Sequence, residues 1–134
     1  MTDLKSNMPK LIYSLIDSPT HPNLTAVYES LGMQEKRFPA MRKAISALKK
    51  EQPDIVVGQF FYGYGNNYAG ANISNLDVFL HSLQKYAPAA KVIVMVSKDE
   101  VQFIDKLKEL FEIAAVLVMP VFAEDMQQAL EDLI

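Results

Sequence analysis

Nine residues have the types and positions to form a contact site: Asp17, Ser18, Gln59, Tyr62, Tyr64, Asn66, Asn67, Tyr68 and Ser97. Asp17 and Ser18 follow the apolar run LIYSLI, Gln59 nearly closes DIVVGQFF, and Ser97 closes KVIVMVS. The rest lie in GQFFYGYGNNYAGANISN, Gly58 to Asn75, where aromatic rings are set among four glycines and several asparagines. Rings supply large, rigid contact area, and glycines admit positive φ and close backbone approach. A carboxylate, two hydroxyls and an amide at strand ends supply polar contacts. The chemistry implied is recognition of a ligand or partner, and no catalytic residue is expected.

Familiar reactive arrangements are missing from the sequence. It has no nucleophile elbow, and its one glycine-dense segment lacks the lysine and hydroxyl of a phosphate loop. GYGNNYAG has the wrong spacing for a dinucleotide fingerprint. The absence of cysteine removes disulfides, thiolate catalysis and cysteine-ligated zinc, and His21 and His81 have no third ligand in view. No metal site and no cofactor are therefore expected. A net charge of −3, with both signs interspersed, argues against a nucleic-acid groove or an anionic membrane surface. The cluster Arg42, Lys43, Lys49 and Lys50 has the spacing of a solvated helix face. No apolar run reaches the roughly 20 residues of a spanning helix, and the N-terminus lacks a secretory design. A cytoplasmic location is expected.

The elements that would position these residues alternate. LIYSLI (11–16), DIVVGQFF (54–61), KVIVMVS (91–97) and AAVLVMP (114–120) are apolar runs of strand length, while Met33–Phe38 reads as a short edge strand. Between them come helical patterns. Asn23–Leu31 ends at Gly32, a left-handed cap position, and Pro39 suits the first turn of a helix with Met41, Ala44, Ile45 and Leu48 on one stripe. Ser74 with Asp77, and Ser97 with Glu100, have capping-box spacing before stripes of Leu76, Phe79, Leu80, Leu83 and of Phe103, Ile104, Leu107, Leu110, Phe111. A last helix runs from Glu124 to Leu133. With 134 residues, half of them apolar, the chain fits one domain, with residues 1–9 expected to be flexible. Strand–helix alternation predicts a three-layer α/β fold, a mainly parallel five-stranded sheet with helices on both faces.

The joint order of SLG (30–32), QPDIVV (52–57), YAPAAKVIVMVSKDE (86–100) and VLVMPVFAEDMQQAL (116–130) resembles the receiver domains of bacterial response regulators. The resemblance covers nearly the whole chain and implies a doubly wound, flavodoxin-like sheet of order 2-1-3-4-5. It also implies where that family's chemistry would lie. The phospho-accepting aspartate falls on Gln59, whose amide cannot take a phosphoryl group in that way. Only Asp17 remains of the acidic pair, beside Ile16 and Ser18, and one carboxylate makes a poor magnesium site. The switch hydroxyl falls on Val96, with Ser97 adjacent, and the lysine before Pro120 is Met119. Pro120 itself is retained, with the expectation of a cis peptide bond. The stretch between Gln59 and the next helix is longer than the family pattern.

Strand-end polar residues and the aromatic loop would share one crevice, since open α/β sheets bind at the carboxyl ends of their strands. Blander roles stand beside each. Asp17 suits a helix cap or turn, Gln59 suits satisfaction of buried backbone, and Asn66 with Asn67 suits turn chemistry. Phe60 and Phe61 would point to opposite faces, with at least one in the core, and the tyrosines could pack on their own domain. Met95 and Met119 read as core. Two functions follow. One is a non-enzymatic pseudo-receiver, a phosphorylation-independent signalling or interaction module that docks a protein partner or forms a homodimer through Phe122, Met126, Leu130 and Leu133. The alternative is a flavodoxin-like binder of a nucleotide or flavin, using the loop 60–74.

Overall fold

The computed structural model describes residues 10–16, 18–63 and 73–133. Its elements run β1 (Leu11–Leu15), α1 (Thr25–Ser30), β2 (Gln34–Phe38), α2 (Met41–Leu48), β3 (Ile55–Gln59), α3 (Asp77–Tyr86), β4 (Lys91–Val96), a 3₁₀ turn (Val101–Phe103), α4 (Ile104–Leu110), β5 (Ala115–Val118) and α5 (Ala123–Leu133). The five strands form one sheet of order β2-β1-β3-β4-β5, with every pairing parallel. The fold class is that expected from the alternation of elements, the strand order is that implied by the resemblance, and the segment after Gly32 is an edge strand as expected.

Alternation along the central strands builds two cores. Tyr13, Leu15, Val56, Val94 and Val96 face a layer that includes Ala44 and Leu48 of α2, Phe79, Leu80 and Leu83 of α3, and Ile104 and Leu107 of α4. Ile12, Ile55, Val57, Ile93 and Met95 face Val27 and Tyr28 of α1 and Met126, Ala129 and Leu130 of α5. Because successive strand residues point to opposite faces, an apolar strand buries both of its sides only if helices cover each. Gly32 has φ +73°, the left-handed cap expected of it. Gly58 lies where a Cβ would sit 3.1 Å from Leu76 Cδ2, so the approach of the α3 start to β3 favours a glycine.

A polar knot fastens α1 to the sheet edge. Ser14 and Thr25 donate to the two Glu35 carboxylate oxygens at 2.5 and 2.6 Å, and Arg37 donates to Thr25 Oγ1 at 2.9 Å. Burial first, and the neighbouring Glu35 carboxylate second, raise the Tyr28 hydroxyl well above its ordinary value of 10, with Ser14 and Arg37 opposing.

Several expectations are corrected here. Met126 and Leu130 are 0% exposed within the domain's own core and Leu133 packs against it, so these residues form no free dimer face. The reason is helical phase: positions 126, 129, 130 and 133 share one stripe, and the sheet takes it. Phe122 alone of the four is well exposed, at 59%. Leu110 is exposed rather than inward. The Ser97–Glu100 box does not form: the helical segment starts at Val101, after Glu100 and without a side-chain cap bond, and the Glu100 carboxylate accepts from the Tyr62 backbone N–H at 3.1 Å.

Met126→Ala should cost about 2–5 kcal/mol in urea unfolding, whereas Phe122→Ala should stay within about 0.5 kcal/mol. Tyr28 is protonated in both folded and unfolded states below pH 10, so its contribution is complete there. Above that the unfolded hydroxyl ionises first, and stability should fall as pH rises towards the folded value, a loss that Tyr28→Phe should reduce in denaturation curves above pH 10.

Candidate functional site

β3 delivers Gln59 to the carboxyl end of the sheet, beside Met95 of β4, and the ladder continues one residue further through Phe60 N–H to the Met95 carbonyl at 2.8 Å. Phe60 is buried in the core, and Phe61 is half-buried on the other side of the turn. The Gln59 side chain is 4% exposed. Its Oε1 accepts from the Thr20 hydroxyl at 3.1 Å, and Thr20 Oγ1 lies 2.8 Å from Ser18 Oγ, which also accepts from Thr20 N–H at 3.2 Å. Ser18 and Gln59 are therefore linked by hydrogen bonds through Thr20, a residue that the sequence reading did not single out. The hydroxyls of SPT (18–20) were its available signal.

The loop that leaves β3 is closed at its base by three linked devices. Asn75 donates from Nδ2 to the Gln59 carbonyl at 2.8 Å and accepts at Oδ1 from Phe61 N–H at 2.7 Å, bridging the strand end to the start of α3. Tyr62 and Ser74 form an antiparallel bridge, and Gly63, at φ +69°, donates its N–H to the Ile73 carbonyl at 2.7 Å. Beneath them Asp77 is fully buried. Its carboxylate accepts from Ile73 N–H at 2.9 Å, Ser74 N–H at 2.8 Å and the Ser74 hydroxyl at 2.7 Å, while Ser74 Oγ takes Leu76 N–H at 3.1 Å. The predicted pairing of Ser74 with Asp77 thus exists, and it anchors the loop as much as it begins the helix. A buried carboxylate is tolerated because N–H and O–H donors replace its water.

Tyr62 is the contact candidate among the described residues of this loop, and its ring is already engaged. It stacks on Phe103 with centroids 3.8 Å apart and planes 7° from parallel, and Lys106 Nζ lies 5.6 Å from its centroid. With Glu100 holding its backbone N–H, Tyr62 ties the β3–α3 connection to the beginning of α4. At 37% exposed, it packs on its own domain while leaving part of the ring in solvent. Asp17, Tyr64, Asn66, Asn67 and Tyr68 lie outside the described residues.

Ser97 follows β4 and is half-buried, and among the described residues no hydrogen bond joins it to Gln59 or Ser18. Val96 is buried and the Met119–Pro120 peptide is cis, as expected of the retained proline. Among the described residues no group of three or more His, Cys, Asp or Glu could hold a metal ion. No described helix is long and apolar enough to cross a membrane. Three open cavities of about 390, 480 and 240 Å³ lie at the amino ends of the strands, between β5 and α5, and between the end of α3 and α4, and none of the three is lined by Gln59, Tyr62 or Ser97.

No family model matches the sequence, and no curated protein matches it. Solved structures do match the fold. A response regulator receiver domain from Clostridium thermocellum is 19% identical with a TM-score of 0.67, covering 92% of each chain. The chemotaxis response regulator CheY4 of Vibrio cholerae is 11% identical with a TM-score of 0.70, covering 95% of this chain and 100% of its own. An adenylate cyclase structure from Rhodopirellula baltica is 11% identical with a TM-score of 0.69, covering 93% of this chain and 87% of its own.

Asp77→Ala would strand three donors, two of them buried, and should cost at least about 2 kcal/mol, read as a lower urea midpoint. Tyr62→Ser should cost about 1 kcal/mol through loss of the stack, and a double-mutant cycle with Phe103→Ala should show coupling between the two.

Proposed function

With a receiver-like fold as the premise, we propose that this chain is a protein-interaction module in signalling that works without phosphorylation and carries no catalysis of its own. Gln59 carries the reading. It occupies the end of β3, where the family resemblance puts the acceptor aspartate, and its side chain is buried and engaged by Thr20. An amide is neither a phosphoryl acceptor nor an anionic metal ligand, so the steps that phosphoryl transfer needs at that position have no group to perform them. The hydrogen bond to Thr20 ties the β1–α1 connection to β3 with neutral groups, a role that requires no exchange of phosphate or cation. In this reading the domain is held in one state and acts in the cytoplasm as a docking surface.

The alternative, a nucleotide or flavin stacked on the loop tyrosines, is weakened at Tyr62, where one face of the ring is taken by Phe103. A planar ligand there would have to compete with an intramolecular stack.

Incubation with acetyl phosphate and Mg²⁺ should give no acyl-phosphate adduct by intact mass, and no magnesium-dependent change in tyrosine fluorescence. A stoichiometric acyl phosphate would overturn the reading and place the acceptor on another carboxylate.

A further inference from the structure

One edge of the sheet ends in a groove whose lining is apolar at the floor and acidic at the rim. β5 pairs with β4 on one side only, so the outer edge of Ala115–Val118 presents unpaired backbone groups. Its residues are half-buried or exposed, with Val118 at 43%. Between this edge and α5 lies the cavity of about 480 Å³, with Ala115, Leu117, Ala129 and Leu133 among its apolar lining. Glu124, Gln128 and Asp132 also line it and are all exposed.

The charge there is one-sided. After Lys108 the sequence has no lysine, arginine or histidine, while Glu109, Glu112, Glu124, Asp125, Glu131 and Asp132 follow. The ion pairs among the described residues, Lys36–Glu51 and Arg37–Glu35, lie elsewhere, so among the described residues no α5 carboxylate is paired with a cation. A second copy approaching by its own β5 edge would bring the same acids and be repelled. The opposite edge, β2, differs in carrying Lys36 and Arg37.

We propose that the β5–α5 groove docks an extended, basic segment of a protein partner, added to β5 as a sixth strand. The inference rests on the interaction-module reading and adds to it the chemistry of the partner. Spacing sets the motif. Glu124 and Asp132 are eight residues apart on one helix face, a rise of ~12 Å, and residues i and i+4 of a strand are ~13 Å apart on one side. Basic side chains at i and i+4 therefore meet the two carboxylates, and the residue at i+2 sits over Gln128 and the apolar wall of Ala129. The partner carries a basic–x–apolar–x–basic pattern, with main-chain hydrogen bonds to β5 supplying adhesion and the acidic rim supplying selectivity.

The probe is a blocked heptapeptide of sequence TRTVTRT, titrated into the isotopically labelled full chain and followed by amide NMR shifts. Shifts should concentrate at Ala115–Val118 and the groove face of α5. They should weaken about fivefold with the Glu124→Gln, Asp132→Asn double variant, whose melting temperature is unchanged, and vanish with the acidic peptide TETVTET. Shifts centred on Gln34–Phe38, or equal shifts with either peptide, would overturn the proposal, as would concentration-dependent β5 shifts without peptide, which would assign the edge to a second copy. The titration is repeated after acetyl phosphate treatment. Docking at β5 seen only then would support the groove and overturn the phosphorylation-independent reading, whereas silence at β5 under both conditions would overturn the groove and leave that reading intact.

Discussion

Burial of β1, β3 and β4 on both faces is the constraint from which the rest of this molecule follows. Each central strand sends apolar side chains alternately to two cores, so helices are needed above and below the sheet, and the parallel pairing makes each connection cross from one end of the sheet to the other. All five strands then end at the same pole. Ser18, Gln59 and Ser97 arrive there because of this geometry, even though they are far apart in the chain.

At that pole the structure replaces charge chemistry with neutral hydrogen bonding. Gln59 is tied to Thr20 through its side chain and to Asn75 through its carbonyl, so two neighbouring connections are fastened to one strand end. The acidic group that is fully buried nearby, Asp77, is turned towards backbone donors of its own loop base rather than towards the crevice. A carboxylate used in that way has its oxygens committed, and it stabilises the loop base instead of presenting charge to a ligand. The Tyr62–Phe103 stack extends the same logic to α4, joining the loop base to a helix that β-sheet pairing alone would not reach.

The two sheet edges are treated differently. β2 is held by the Glu35 knot with Ser14 and Thr25 and has bases of its own, Lys36 and Arg37. β5 is shorter and flanked by a helix that has acids and no base. Edge strands that lack a covering element stay available for pairing, and the charge beside them decides which segments can approach.

Fold class, the Gly32 cap and the pairing of Ser74 with Asp77 were legible in the sequence, because they depend on local periodicity and on residue spacing within a few positions, whereas strand order was available only through the family resemblance. The division of labour among polar groups was not. Thr20 and Gln59 are 39 residues apart, and Tyr62 and Phe103 are 41 apart, so no window reveals that they touch. Nor does an amphipathic stripe say what covers it: Met126 and Leu130 suited either an interface or a core equally well as sequence, and only the packing of α5 beside α1 and β5, in one core with the central strands, spent that stripe on the domain itself. Local pattern fixed which residues are apolar and in what period. Tertiary packing decided which surfaces were consumed and which polar atoms were already satisfied, since both depend on distances between segments that the chain brings together only when folded.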